Sequence, residues 1–533
     1  MPLVLATLLS ATLHGIAGRV VRVEVDVAPG LPGFTIVGLP DAALSEARER
    51  VRGALRNAGF HHPPRRITVN LAPAELRKAG ASLDLAIALG ILLGSEQLRA
   101  GPGRVALIGE LGLGGEVRPV PGILPMCLAL VRHGVPRVLV PEAAWAEARL
   151  APGVDPVPVA TVAEAAEAIR AARSGRSAPQ ALPRTGDGGP PPESAGSIGP
   201  GASLDLATAP AGDVVDLADV RGQVVARRAL EIALAGGHAL LLIGPPGAGK
   251  TLLARTIPGL LPDLHDGAAL TATVVASVAG SRPVTALVRR PPVRAPHHTT
   301  SYAGMVGGGP RMSPGEVTLA HEGVLFCDEL PEFGRDVLEA LRQPLEDGSV
   351  TVVRVGRAET FPARFTFVAA MNPCPCGQHG SSDRACSCPP GIPERYLRKV
   401  SGPLRDRVDL WVSVDRVPPA VLVDGASPEP SAVVAARIAD ARERQRSRNG
   451  DRPNARVRGR ELRAVSALDV SARARAVELA ELEGLSGRGT ERLLRVARTI
   501  ADLEGAEIVE ASHLDEAARF RAPVDRMALR RAG

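Results

Sequence analysis

The segment Gly244-Pro245-Pro246-Gly247-Ala248-Gly249-Lys250-Thr251 restricts this 533-residue chain more than any other, because it fits G-x-x-x-x-G-K-T in a definite local setting. Leu240 to Ile243 reads as a short buried strand, and Leu252-Leu-Ala-Arg as the opening of a helix. Between strand and helix, the glycines let backbone N–H groups close around phosphate oxygens at the positive end of the helix. Lys250 then reaches the β- and γ-phosphates and the Thr251 hydroxyl binds magnesium. The expected nucleotide contacts are Gly244, Pro245, Pro246, Gly247, Ala248, Gly249, Lys250, Thr251 and Leu252. A chance match in a folded loop is the competing reading, and the flanking pattern argues against it.

Composition sharpens this at one residue. Lysine occurs only at Lys78, Lys250 and Lys399, although lysine and arginine together number 63. A lysine kept against such a bias marks a place where a compact ammonium serves and a planar guanidinium does not.

Downstream, Gly323-Val-Leu-Phe-Cys-Asp328-Glu329 is an apolar strand ending in two acids. Behind a phosphate loop, Asp328 is expected to hold magnesium and Glu329 to act as the general base that orients the attacking water. Surface carboxylates at a strand end are the plainer alternative. A further apolar strand, Phe365 to Met371, ends at Asn372, whose amide is placed to sense the γ-phosphate unless it is merely the turn residue before Pro373.

A chain this long predicts two or three domains. From Ser174 to Gly212 the sequence turns to Gly, Pro, Ser and Ala and cannot bury enough surface to offset its ordering entropy, so it reads as a linker. Before it, strand-like runs (Val20 to Val27, Arg66 to Leu71, Arg104 to Ile108, Arg137 to Val140) alternate with helix-like ones (Asp41 to Ala58, Leu83 to Leu93, Thr161 to Ala172), implying an α/β domain. A second α/β domain follows to about Val417, and apolar positions at helical spacing in Ser431 to Arg446, Ser471 to Glu483, Glu491 to Leu503 and Ser512 to Phe520 read as a helical domain. Met1 to Ala17 lacks the basic start of a signal peptide and runs into an alternating strand, which reads as folded cytoplasmic protein. No apolar run approaches the roughly 20 residues of a membrane-spanning helix. The net charge of +6 permits a polyanionic partner without requiring one.

The spacing of loop, paired acids and Asn372 resembles an AAA+ ATPase. With Asp219-Val-Arg-Gly-Gln, Arg294-Ala-Pro-His-His-Thr-Thr-Ser, Gly307-Gly-Gly-Pro, Asp328-Glu-Leu-Pro-Glu-Phe and Ser401-Gly-Pro-Leu-Arg-Asp-Arg-Val-Asp-Leu, the chain resembles the magnesium-chelatase-like YifB/ComM family. That resemblance implies a homohexameric ring with ATP and Mg2+ between subunits. Arg407 matches the arginine finger that reaches a neighbour's γ-phosphate, with Arg405 as the alternative, and Arg488 matches an arginine that the helical lid supplies to its own subunit's nucleotide. The implied architecture is a Lon-protease-like (ribosomal-protein-like) α/β domain over residues 1–173, the linker over 174–212, an AAA+ P-loop α/β core over 213–417 and a C-terminal helical lid over 418–533.

Better-studied members of that family are DNA branch-migration helicases of natural transformation, which makes DNA the expected partner. Gly348-Ser-Val-Thr-Val-Val-Arg-Val-Gly-Arg357 alternates like a hairpin with Arg354 and Arg357 near its tip, where similar helicases contact phosphates; a plain surface hairpin is the alternative. A chelatase-type or protein-remodelling ATPase, with a protein client bound by the N-terminal domain, is the other reading of the whole chain.

The turn Arg77-Lys78-Ala-Gly80-Ala-Ser82 looks like the one carrying the Lon nucleophile, but the segment matching the second catalytic site, Pro121-Gly-Ile-Leu124-Pro, has no lysine. A serine without its proton acceptor is not activated, so Ser82 is expected to cap a helix in a non-proteolytic domain. Cys374, Cys376, Cys386 and Cys388 are spaced C-x-C-x9-C-x-C. Four thiolates satisfy tetrahedral Zn2+, though structural zinc sites usually have wider pairs; four reduced cysteines in an ordered loop are the alternative. Cys127 and Cys327 stand apart and read as buried small apolar residues.

Overall fold

The computed structural model describes residues 5–41, 44, 46–78, 80–99, 104–173, 204–205, 215–309, 312–354, 357–381, 384–424 and 428–521. The alternation of Val21, Val23, Val25 and Val27 with polar residues produces strand β2 (Ala17–Ala28), in which these four valines are all buried. It pairs antiparallel with β1 (Ala6–His14), His14 facing Ala17, and β1 is an inner strand. With β3 (Gly33–Val37), β4 (Arg66–Ala72), β5 (Ala106–Leu107), β6 (Arg137–Pro141) and β7 (Asp155–Val159) they form one sheet in the order β3-β4-β2-β1-β5-β6-β7. Helix Asp84–Gly94 is apolar on all sides and lies almost wholly buried against it.

Ser82 departs from expectation. The helix that begins at Asp84 has no side-chain cap, and the Ser82 hydroxyl donates instead to the Ala11 carbonyl at 3.0 Å. Buried beside β1, it bonds the strand carbonyl within reach and ties the helix start to the sheet rather than capping it.

The second sheet contains β8 (Leu204–Asp205), β9 (Leu240–Ile243), β10 (Val293–Ala295), β11 (Gly323–Cys327), β14 (Phe365–Met371) and β15 (Leu410–Ser413), while β12 (Ser349–Arg354) and β13 (Arg357–Pro362) form a separate hairpin. Its order is β8-β10-β11-β14-β9-β15, all parallel except the β8 edge. Strands covered on both faces become continuous apolar runs, as in β11 and β14, where every residue is buried. The edge pair β8 falls within the expected linker: Leu204 faces Ala295 and Asp205 faces Arg294. The remainder of 174–212 lies outside the described residues.

Helix Val224–Gly236 covers one face of this sheet. The C-terminal helices Ser431–Asn449 and Gly487–Glu504 bury Val434, Ile438, Leu493, Val496 and Ile500 in the same apolar core as Leu240 and Leu242. Polar contacts tie the first sheet and its helices to later elements: His14 Nδ1 of β1 lies 2.9 Å from the buried Glu359 carboxylate of the β12–β13 hairpin, and the Ser277 hydroxyl of helix Asp266–Ala279 donates to Glu147 of helix Trp145–Ala148 at 2.6 Å. Among the described residues no helix is long and apolar enough to cross a membrane.

Candidate functional site

All the strands adjoining β9 run parallel to it, so their carboxyl ends open at one edge of the sheet. There the chain turns from Ile243 into the glycine loop, from Cys327 into Asp328 and from Met371 into Asn372. Gly244 is required by close approach, since a β-carbon there would stand 2.0 Å from the Val414 carbonyl oxygen. Gly247 and Gly249 take the left-handed φ values of +78° and +93° that turn the loop into helix Lys250–Arg255.

Lys250 is 8% exposed. Its Nζ donates to the carbonyls of Gly244 at 2.7 Å and Pro245 at 3.0 Å, and to Asn372 Oδ1 at 3.1 Å. Burial pushes the ammonium below its ordinary range, opposed by the nearby Asp328 and Glu329 carboxylates. An ammonium has three protons and all have acceptors here, so a phosphate oxygen entering the loop competes with main-chain carbonyls for the same donors.

The Thr251 hydroxyl donates to Asp328 Oδ2 at 2.7 Å, and the Glu329 N–H donates to Asp328 Oδ1 at 2.9 Å. Adjacent oxygens around octahedral magnesium stand about 3 Å apart, so the Thr251 and Asp328 oxygens fit that ion. Glu329 sits at φ +51°, a strained conformation for a side chain with a β-carbon, and its Oε2 lies 3.3 Å from His298 Nδ1. Leu252, the third helical residue, is partly exposed beyond the loop.

The arginines are elsewhere. Arg407 precedes β15, hence it lies at the amino-terminal edge of the sheet, donating to the Pro403 carbonyl at 2.6 Å and pairing with Glu346. Arg488 lines the same 200 Å³ cavity as Arg407, Glu346, Ala239 and Phe365, and its charge helps hold the Glu346 carboxyl below its usual range, after the larger effect of Arg407. A four-residue strand separates the two edges by about 13 Å. Arg488 therefore stands with Arg407 and away from Lys250 of its own chain, against the expectation that the helical segment turns it toward its own nucleotide. The reason is packing: helix Gly487–Glu504 buries Leu493, Val496 and Ile500 in the sheet's core and leaves its first turn at the wrong end. A larger cavity, of about 740 Å³, opens at that same edge beside Glu322, Arg364 and Arg456, not at the glycine loop.

Three family models together match nearly all of the chain outside residues 145–215. Magnesium chelatase, subunit ChlI, matches residues 216–422; subunit ChlI of Mg-chelatase matches 23–144; and the subunit ChlI C-terminal model matches 428–521. The chain is 42% identical over 516 residues to protein YifB of Escherichia coli strain K12, covering 96% of each. The chain belongs to the YifB/ComM family of magnesium-chelatase-like proteins. It is also 39% identical over 522 residues to competence protein ComM of Haemophilus influenzae, covering 98% of each. The strand order, with the glycine loop leaving β9 next to the β15 edge, is consistent with an AAA+ core.

In this YifB/ComM-family chain the β12–β13 hairpin pairs Arg354 opposite Arg357, and the Arg354 side chain is exposed. Sequence reasoning missed several neighbours of the glycine loop. Gln223 donates to the Ala248 and Asp415 carbonyls at 2.9 and 2.6 Å, and Arg416 donates to the Pro246 carbonyl at 3.2 Å. Gln223 and His298 lie inside family motifs already quoted, which was a signal; Arg416 had none. The four clustered cysteines do come together, every sulfur within 4.8 Å of the others. The Gln378 backbone N–H favours the Cys376 thiolate, pulling that thiol down to about 5. Cys127 and Cys327 are buried, and burial pushes both thiols well up.

Proposed function

We propose that this chain is an ATPase that works as a ring of six copies and uses hydrolysis to remodel DNA. One observation carries the ring: Lys250, Thr251, Asp328, Glu329 and Asn372 converge at one edge of the sheet, while Arg407 and Arg488 cluster at the other. Two arginines facing away from their own glycine loop suit the loop of the next copy. In this reading Lys250 and the loop N–H groups bind ATP, Thr251 and Asp328 hold Mg2+, Glu329 orients water, Asn372 senses the γ-phosphate, and the neighbour's Arg407 and Arg488 meet the phosphate charge. Magnesium supplies charge neutralisation there when bound. Mixing Lys250→Ala protein with Arg407→Ala protein tests it. Each alone is inactive, and mixed rings regain part of the ATPase activity because intact sites form between unlike copies; no recovery at any ratio sinks the shared site.

DNA is favoured as substrate by the paired Arg354 and Arg357 and by the relationship to competence protein ComM. Branched or single-stranded DNA stimulates ATP hydrolysis in this reading. The alternative, a protein-remodelling ATPase with a client on the N-terminal domain, follows if no DNA shape does so. We further propose a non-proteolytic Lon-like domain over 1–173, a linker over 174–212, an ATPase core over 213–417, a helical lid over 418–533, a cytoplasmic location, and Zn2+ on Cys374, Cys376, Cys386 and Cys388.

A further inference from the structure

The loop that leaves Asn372 contains no helix or strand among its described residues until helix Ile392–Leu397, and three of its four cysteines are only half-buried. Such a loop has little apolar burial to hold it. Its sulfurs are nevertheless gathered: Cys374 and Cys376 are 3.4 Å apart, Cys376 and Cys386 3.5 Å, and Cys374 and Cys386 3.8 Å. A disulfide needs about 2 Å. Thiolates about 2.3 Å from a tetrahedral zinc ion stand about 3.8 Å from one another, close to these three separations, and the Cys388 sulfur lies within 4.8 Å of the other three. The His379 N–H donates to Cys374 Sγ at 3.3 Å, the kind of outer hydrogen bond that orients a metal ligand. An all-sulfur set selects a soft cation such as zinc.

What this cluster touches has a consequence for the nucleotide. Gly377 follows Cys376 in a turn closed by its own N–H to the Cys374 carbonyl at 2.9 Å, with φ +77°. A β-carbon on Gly377 would stand 2.3 Å from Pro246 Cδ and 2.7 Å from Pro246 Cγ. The backbone of the cysteine turn thus lies flat on the third residue of the glycine loop. The same segment begins at Asn372, whose Oδ1 accepts from Lys250. The loop is held to the phosphate site at two points, one polar and one by packing.

Resting on the zinc and ATP assignments above, we infer that the four-cysteine centre is a clamp: bound zinc presses the Gly377 turn onto Pro246 and thereby holds the glycine loop in its nucleotide-binding shape. Zinc binding displaces the remaining thiol protons to water and involves no electron transfer. Losing the metal frees the turn. If the binding-competent loop then falls to about a tenth of the population, apparent nucleotide affinity falls about tenfold.

The test uses the full chain purified under reducing conditions, with zinc measured by metal analysis and binding of a fluorescent ADP measured with magnesium present. Zinc is released with a mercurial, the mercurial is removed with excess thiol, and circular dichroism checks the fold. A Gly377→Ala protein, which keeps all four thiols, is measured alongside. Expected are one zinc per chain, about tenfold weaker ADP binding after release, recovery on adding zinc, and comparable weakening in Gly377→Ala with its zinc intact. One zinc per chain with unchanged ADP binding in both arms overturns the clamp and leaves the zinc site standing. Zinc well below one per chain overturns both. Failure of the zinc-loaded wild type to bind ADP would instead remove the ATP reading.

Discussion

His298 Nδ1 stands 3.3 Å from Glu329 Oε2, so the carboxylate proposed to orient water is engaged by a side chain from the loop after β10. Both groups are partly exposed, which limits such a pair to about 1 kcal/mol. His298→Ala is therefore expected to raise the basal ATPase rate, by no more than about fivefold. Glu329→Gln removes the base itself and lowers turnover by roughly a hundredfold or more while ATP still binds. Steady-state rates and equilibrium nucleotide binding on both variants decide this, and a Glu329→Gln protein that turns over normally refutes the assignment.

The Thr251 to Asp328 bond joins the two oxygens proposed to hold magnesium. Asp328→Asn removes the negative charge at one of them and should shift the magnesium requirement of hydrolysis upward by about tenfold or more, with little change in nucleotide binding measured without magnesium. A magnesium titration identical to wild type counts against both residues.

Arg354 and Arg357 close the β12–β13 hairpin as its last register pair. If each meets a DNA phosphate, the double alanine variant binds single-stranded DNA more weakly and with a salt dependence shallower by about 1.4 in log–log slope. Unchanged slope and affinity would place the DNA contact elsewhere.

His321 provides a pH prediction independent of function. It is 1% exposed, its Nδ1 accepts the Arg364 N–H at 3.0 Å, and burial, with Arg364 and Arg456 nearby, pushes it down to about 3. The folded protein keeps it neutral while the unfolded chain protonates it near 6.5, so its contribution is complete above that pH and is lost as pH falls toward 3. Between pH 7 and pH 5 wild type should lose about 2 kcal/mol more unfolding free energy than His321→Asn, whose amide oxygen can accept the same N–H. Equal losses in denaturant titrations at the two pH values contradict this.

Much of the fold and of the site was legible in the chain, and the legible parts share a cause. The glycine loop, the acids after β11, Asn372 after β14 and the helices from Ser431 onward are specified by neighbouring residues: apolar runs make buried strands, and Gly247 and Gly249 permit the positive φ values the turn needs. Because β9, β11 and β14 are parallel, those strand ends meet with no further instruction. Ser82 does not cap its helix because a cap and a bond to the neighbouring strand need the same hydroxyl, and the choice depends on Ala11, remote in the chain. The same applies to Leu204 and Asp205, within the expected linker, which pair with Ala295 and Arg294. Most of all, the tertiary structure alone decided that Arg488 lies beside Arg407, that His298 faces Glu329, and that Gly377 rests on Pro246. Residue types and local spacing encode backbone conformation, whereas these meetings depend on crossover order and on which helix face the core takes, and neither is written in any short stretch of sequence.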